Sequence, residues 1–383
     1  MRTWVAARDA GAANILLPVL KRIKARTGVQ ARVIAEGPAL RIFRNNGVAA
    51  EEAPAQPEER KNFLRIGGKE TTPEALLLGT SWGPSIEKDL LRFGQRIGVP
   101  ALSVVDHWSN YRERFVEQDG RVNLPSQISV MDEIALEQAV AEGLPREILR
   151  IAGQPHLQAL AAMAQDAGLL EQARRLRAAW LGEKPARLVL FASELFSDDF
   201  RKGTPHDRGY DEIDALEGLA RALRIVEGRD GRRLKLVVKL HPKEDRNRFR
   251  SGPLARDRGF TLAQSEPPWA CLLAADAVVG MTSMLLVEGA LLGRPAVSYQ
   301  PEQGKAAFFI GTETGLVHSA RTPEEIAVHL QELTADDRGG TVLAAEEVSR
   351  RGCGAAFRRR LLSGDAAGRI ADLLLTLRAE VTR

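Results

Sequence analysis

Twice along its length the chain alternates short apolar runs with amphipathic stretches, and this repetition restricts its fold more than any other feature. In the first half, Thr3–Ala7 (TWVAA), Gln30–Ala35, Ala75–Leu78, Pro100–Val105, Gln127–Val130 and Ile148–Ala152 read as strands. Between them lie stretches of helical periodicity, such as Gly11 to Lys24 with Ile15, Leu16, Val19, Leu20 and Ile23 on one face. The second half repeats the grammar with strands at Leu188–Ala192, Leu234–Leu240, Phe260–Leu262, Ala277–Val279 and Pro295–Tyr299. Strands that alternate with helices imply crossover connections and parallel sheets covered on both faces. At 383 residues the chain exceeds one ordinary core. We therefore expect an α/β protein of two Rossmann-like parallel-sheet domains facing a central cleft. The Ala-, Leu- and Arg-rich segment before the turn Gly182-Glu183-Lys184-Pro185 marks the boundary. It divides the chain into residues 1–165, a helical linker 166–185 and residues 186–383, with the last helix able to pack back on the first domain. Ligands of such open sheets bind beyond the carboxyl ends of the strands.

Composition closes off several classes. Hydrophobic residues make up 44% and charged residues 27%, as in folded soluble domains. No apolar run reaches the roughly 18–20 residues that span a bilayer, and the N-terminus lacks a signal-peptide pattern, so a cytoplasmic protein is expected. Cys271 and Cys353 are too few for a disulfide framework or a four-cysteine metal site and read as small buried or half-buried thiols. The formal charge is +4, with arginine clustered at Arg246–Arg250 and Arg358–Arg360. Such runs can touch phosphates, an anionic membrane face or nucleic acid, or simply form solvated helix faces. No Gly-x-x-x-x-Gly-Lys-Ser/Thr loop and no Gly-x-Gly-x-x-Gly after the first strand are present, which disfavours P-loop ATPases and NAD dehydrogenases. No Asp-x-Asp pair or zinc-ligand spacing appears either, so no metal and no cofactor are expected.

The strongest chemical signal is the segment from Val278 to Val297. A strand ends in Gly280, a turn carries Thr282 and Ser283, and a helix begins at Met284. Unpartnered N–H groups at a helix start attract phosphate, and small hydroxyls add donors. Glu288, about a turn further, is placed to accept hydrogen bonds from ribose hydroxyls. Gly293 supplies a left-handed cap before Pro295. The alternative is an ordinary strand–turn–helix with a Ser/Thr cap and a solvated Glu288. A second signal, Lys239-Leu240-His241-Pro242-Lys243-Glu244, follows a buried strand. His241 at that strand end can donate to a phosphate or sugar oxygen, and Pro242 fixes the turn.

These motifs resemble the nucleotide-binding domain of the GT-B superfamily. Bacterial sialyltransferases, Kdo transferases and teichoic-acid polymerases of that type have a His-Pro motif after a strand and a small-hydroxyl motif opening a later helix, matched here by His241-Pro242 and Thr282-Ser283. Glu288 is similar to the ribose-binding glutamate of many GT-B enzymes. The resemblance implies a nucleotide donor bound by the C-terminal domain. It also implies that the loop Ser193-Glu194, after that domain's first strand, contacts phosphate or base.

The first half is then expected to supply the acceptor side. Asp9, in the loop Arg8–Asn14, is either a general base or a helix cap, with Gly11 and Asn14 beside it. Thr80, Ser81 and Trp82 follow a strand and offer hydroxyls and an indole to a sugar. Asp106 and His107 can form an acid/base unit. Trp108 can stack on a sugar face, and Arg112 and Arg114 can meet an anionic substrate. The polar loop can equally be anchored by aromatics packed on the core. Gly153-Gln154-Pro155-His156 reads as a structural turn at the end of the first domain.

The expected function is a metal-independent glycosyltransferase of surface-polysaccharide or glycoconjugate biosynthesis. It moves a sugar from a nucleotide-sugar donor, UDP- or CMP-linked, to a glycan, lipid or protein hydroxyl. Peripheral contact with the inner membrane face fits such a role, and no nucleic-acid partner is expected. The rivals are a nucleotide-sugar 2-epimerase or hydrolase on the same scaffold, and an arginine-rich nucleic-acid or membrane-surface binding protein.

Overall fold

A computed structural model describes the chain except residues 27, 65–70, 183–185, 201–202, 205–206, 232, 251–258, 303, 335–353 and 382–383. Cys353 lies outside the described residues, and Cys271 is buried. The chain divides into two compact units, Met1–Ala159 with Ser363–Arg383, and Leu160–Leu362. Each is built on one parallel sheet.

In the first unit the strands are β1 (Arg2–Ala7), β2 (Gln30–Ala35), β3 (Ala50–Glu52), β4 (Ala75–Leu78), β5 (Ala101–Val104), β6 (Gln127–Val130) and β7 (Leu149–Ile151). Their order is β3-β2-β1-β4-β5-β6-β7. Strand β1 shows why both faces are covered. Val5 and Ala7 pack with Ile15 and Leu16 of the helix Ala10–Lys24 and with Ile370 and Leu374 of the helix Ala366–Val381. Trp4 and Ala6 face Ile86 and Leu90 of the helix Ile86–Arg96. Each such aliphatic side chain, fully buried, contributes about 1.5–3 kcal/mol. The helix Ala366–Val381 therefore completes the first unit although it follows the second in sequence.

In the second unit the strands are β8 (Arg187–Ala192), β9 (Leu234–Lys239), β10 (Thr261–Ala263), β11 (Ala277–Gly280), β12 (Ala296–Tyr299) and β13 (His318–Ala320). Their order is β10-β9-β8-β11-β12-β13. Leu216, Leu219 and Leu223 of the helix Glu212–Asp230 and Ile326 and Leu330 of the helix Pro323–Thr334 cover one face. A capping box built from Asp211 and Asp214 starts the longer helix. The helix Ala167–Leu181, inside the stretch read as a linker, packs in this unit: Arg177 donates to Ala274 O at 2.7 Å and pairs with Asp276 at 2.9 Å.

Two edge strands, β3 and β13, were not expected. Each has only three residues and a mostly non-buried pattern, so neither carries the apolar run that marks an inner strand. In both sheets the chain grows outward on one side and then crosses to the other, between β1 and β4 and between β8 and β11. Those switch points are where loops diverge and leave a crevice at the carboxyl edge.

Candidate functional site

The carboxyl edge of the second sheet brings three of the expected motifs together. Ala192, the last residue of β8, lies opposite Lys239 on β9 and Gly280 on β11. The loops beginning at Ser193, Leu240 and Met281 are therefore neighbours. Gly280 is held to glycine by this closeness, since a Cβ there would stand 2.8 Å from Ala192 O.

Ser193 and Glu194 tie the flanking loops to each other. Ser193 Oγ donates to Glu244 Oε1 at 2.6 Å, and Glu244 Oε2 accepts the backbone N–H of His241. On the other side Glu194 accepts the backbone N–H of Thr282 at 2.6 Å and the Thr282 hydroxyl at 3.0 Å. This corrects the picture of a bare anion cradle, because the Thr282 donors already hold a carboxylate. Ser283 is the N-cap of the helix Met284–Leu291, its Oγ accepting from Leu285 N at a long 3.4 Å. Gly293, at φ +80°, follows that helix in the left-handed conformation.

Glu244 escaped the sequence reading, although it stands three residues after His241. It is 7% exposed, and burial pushes its carboxyl up to about 7, against the lowering effect of the bonds from Ser193 and His241. Its only prior signal was a charged residue next to a strand-end turn. His241 accepts the Lys243 N–H on Nδ1 at 3.2 Å, which assigns the proton of a neutral ring to Nε2. Burial, then Lys243 and Lys239, lower its pKa, so the ring is neutral near pH 7 and offers one N–H donor. Pro242 is exposed. Lys239 is buried with its ammonium on Gln264 O at 2.7 Å, so it supports the loop. Glu288 is no solvated helix residue: it is 8% exposed and accepts the Trp269 indole N–H at 2.9 Å. Met284 opens the helix with a half-buried side chain.

The residues singled out in the first half also gather at a carboxyl edge, yet largely bond to one another. Asp106 pairs with Arg114 at 2.6 Å, and the same guanidinium nitrogen donates to Thr80 Oγ1 at 2.9 Å. Gly11 sits against Asp106, whose Oδ2 would lie 1.8 Å from a Cβ at that position. Ser81 donates to the buried Glu87 at 2.8 Å, and Glu87 also accepts the Arg8 N–H at 2.8 Å. Burial raises the Glu87 pKa. His107 shares a 2.9 Å bond with Ser109, and burial, then Arg114, push its pKa down to about 4.

Several expectations change accordingly. Asp106 and His107 hold different partners, and a pKa near 4 makes His107 a neutral hydrogen-bonding group at pH 7. Trp108 is a core residue: it is 1% exposed, with its indole N–H on Asp132 at 3.1 Å. Thr80, Ser81 and Arg114 are buried and committed internally, so they shape the edge instead of lining it. Arg112 is exposed and Asn14 half-buried. Asp9 occupies the N-cap position of the first helix without a side-chain cap bond and meets Arg8 at 3.2 Å. Gly153 takes φ +94° as the expected turn, and Gln154 fastens it by donating to Asp106 O at 3.0 Å.

The arginine runs are also structural in part. Arg248 donates to Ser197 Oγ at 2.8 Å and pairs with Asp211 and Glu212, while Arg358 is buried with a bond to Leu291 O at 3.2 Å. Among the described residues, no helix is long and apolar enough to cross a membrane.

Two parallel-sheet α/β units, of seven and six strands, give the chain a fold of the GT-B type. No protein-family model and no curated protein matches the chain. Solved structures do. The UDP-GlcNAc 2-epimerase from Methanocaldococcus jannaschii superposes with a TM-score of 0.64 at 11% identity, over 98% of this chain and 100% of that one. The UDP-GlcNAc 2-epimerase from Neisseria meningitidis bound to UDP-GlcNAc gives 0.62 at 10%, covering 99% and 100%. A glycosyltransferase from Rickettsia africae ESF-5 gives 0.63 at 9%, covering 100% and 98%. At such identities the likeness is one of fold.

Proposed function

We propose that the protein is an enzyme acting on a nucleotide-activated sugar, and that it transfers the sugar to an acceptor hydroxyl. The observation that supports this is the convergence of His241, Ser193-Glu194 and Thr282-Ser283 on three adjacent strand ends at a topological switch point. In this reading the His241 Nε2–H donates to the donor's phosphate, and the start of the helix Met284–Leu291 faces the same charge. Glu288, oriented by Trp269, receives the ribose hydroxyls. As the anomeric C–O bond breaks, its electron pair passes to the phosphate oxygen. Donors fixed beforehand stabilise that charge without reorganising. The acceptor oxygen forms the new bond and loses its proton to a general base.

The second reading, 2-epimerisation, is favoured by the neighbours named as UDP-GlcNAc 2-epimerases. Both begin with the same departure of the nucleotide, so nucleotide binding is tested first. A thermal-shift screen against UDP, CMP, GDP and CDP should raise the melting temperature with at least one of them. His241→Ala, Ser283→Ala and Glu288→Ala should each weaken that shift without unfolding the protein. Unchanged affinity in all three removes the assignment. Release of nucleotide only when an acceptor is added then selects transfer over epimerisation.

A further inference from the structure

The second sheet carries, beyond the carboxyl ends of β12 and β13, a cationic corner that the nucleotide assignment leaves unused. There the loop 300–309 is fastened to two other segments. Gln300, 6% exposed, accepts the Ala307 N–H at 2.6 Å, donates to Ala307 O at 3.2 Å and accepts the Tyr210 hydroxyl at 3.3 Å. The Lys305 N–H donates to Arg208 O at 2.8 Å, and the Glu302 N–H to Arg321 O at 3.0 Å. Gly304 lies so close that a Cβ there would stand 2.6 Å from Arg208 O. Arg208, ahead of the helix Glu212–Asp230, and Arg321, just after β13, are thus brought onto one loop. Ser298 Oγ on β12 donates to Met281 O, so this corner adjoins the Thr282 turn.

Neither guanidinium has a counterion. Arg208 donates to Ala306 O at 3.2 Å and lies over the Phe200 ring at 4.8 Å, and Arg321 donates to Gly304 O at 2.8 Å. Those acceptors are neutral, and among the described residues no carboxylate comes within ion-pair distance of either side chain. Two carboxylates nearby serve the backbone instead. Asp207 accepts the Gly203 and Gly209 N–H groups, and Glu325 accepts the N–H of Arg321 itself. By contrast Arg8, Arg114 and Arg248, at the same sheet edges, each hold a carboxylate. A guanidinium offers five N–H donors, and Arg208 Nε and Arg321 Nη1 are buried without a partner. Both side chains are half-buried, so their charge has lost hydration that the protein does not replace.

Charge on the loop itself does not offset them, since exposed Lys305 faces the single exposed carboxylate of Glu302. Burial, then Glu194, raises the Tyr210 pKa, while Arg321 and Arg208 act the other way. The Tyr210 hydroxyl is therefore within electrostatic reach of both cations and of Glu194, the residue that holds Thr282. Two planar forks without carboxylates suit the paired oxygens of a carboxylate or a phosphate, and suit a neutral group poorly.

We infer that Arg208 and Arg321 hold a second acidic group of the substrate, a carboxylate or a phosphate beyond the phosphate received by His241 and the Thr282 turn. This rests on the nucleotide-sugar reading and narrows it to two donor chemistries: a nucleoside diphosphate, or a nucleoside monophosphate joined to a sugar acid. Calorimetry of the full chain with UMP against UDP, and with CMP against CMP-N-acetylneuraminate, separates them. In the wild type one acid-bearing ligand should bind at least about tenfold more tightly than its parent nucleotide. Arg208→Gln and Arg321→Gln, which keep a side-chain N–H donor, should each cut that advantage about five- to tenfold and move the parent's Kd less than about twofold. A fall confined to the uridine pair identifies a diphosphate, and one confined to the cytidine pair identifies a sugar carboxylate. Each variant is compared with itself on two ligands, so a loss of folded protein does not mimic the result. An advantage that survives in both variants overturns the inference. So does equal weakening of the parent nucleotides, or a wild type that binds UMP or CMP with no advantage for either acid-bearing ligand. A wild type that binds none of the four would remove the nucleotide reading and this refinement together.

Discussion

The two sheet edges solve one local problem in the same way and then part. In each, a buried glutamate accepts a serine hydroxyl and a backbone N–H from loops after neighbouring strands. Glu87 joins Ser81 to Arg8, and Glu244 joins Ser193 to His241. In the first unit that knot sits at the switch point itself and is reinforced by Asp106, Arg114 and Thr80. In the second it sits one strand to the side, and the switch point is spanned by the Glu194–Thr282 contact, between a half-buried glutamate and a half-buried threonine. A closed polar network fixes backbone shape but leaves few donors for a ligand. The second edge keeps the imidazole N–H of His241 and a loosely engaged Ser283.

The largest effect expected from this contrast is on stability. Asp106→Ala leaves a buried guanidinium without its partner, and urea denaturation should show a loss of about 3–5 kcal/mol. A loss below about 1 kcal/mol would mean that the first edge is as open as the second.

Next comes the pH response of Glu244. Its folded pKa, about 7, lies above the unfolded value near 4.3. The native state then binds more protons than the unfolded chain between those values, so stability falls as pH rises through roughly 4–7, by up to about 4 kcal/mol. Glu244→Gln should flatten that slope in melts at pH 5 and pH 8. An unchanged slope would assign the proton elsewhere.

A smaller effect is expected on binding. His241→Ala removes one donor to a charged group, costing about 1.5–2 kcal/mol, or ten- to thirtyfold in nucleotide Kd by calorimetry, with the melt unchanged. The smallest effect has the opposite sign. Glu194→Gln takes a negative charge from the Thr282 donors, so nucleotide affinity should rise about threefold at low salt and less at high salt. Weaker binding would make Glu194 a direct ligand contact.

Much of this architecture was legible because inner strands of a parallel sheet are continuous apolar runs. QARVIA, ALLL and QISV each form the strand read from them. The short edge strands β3 and β13 lacked that signal. At the site, periodicity and turn residues located strand ends, so they placed His241, Thr282 and Asp106 on their edges. They did not show which way each side chain turns. Arg114 was read as facing a substrate and instead meets Asp106, and Trp108 turns into the core toward Asp132. Glu244 and Trp269 gain their place at the site from partners 51 and 19 residues away, Ser193 and Glu288.

The return of the helix Ala366–Val381 to the first sheet has a consequence for how the protein is made. During synthesis, the part of that face over β4 and β5, beside the helix Ala10–Lys24, stays uncovered while the whole second unit is translated and folds. Leu77, Leu102, Val104 and their neighbours are exposed to chaperones or to wrong partners until the helix Ala366–Val381 emerges.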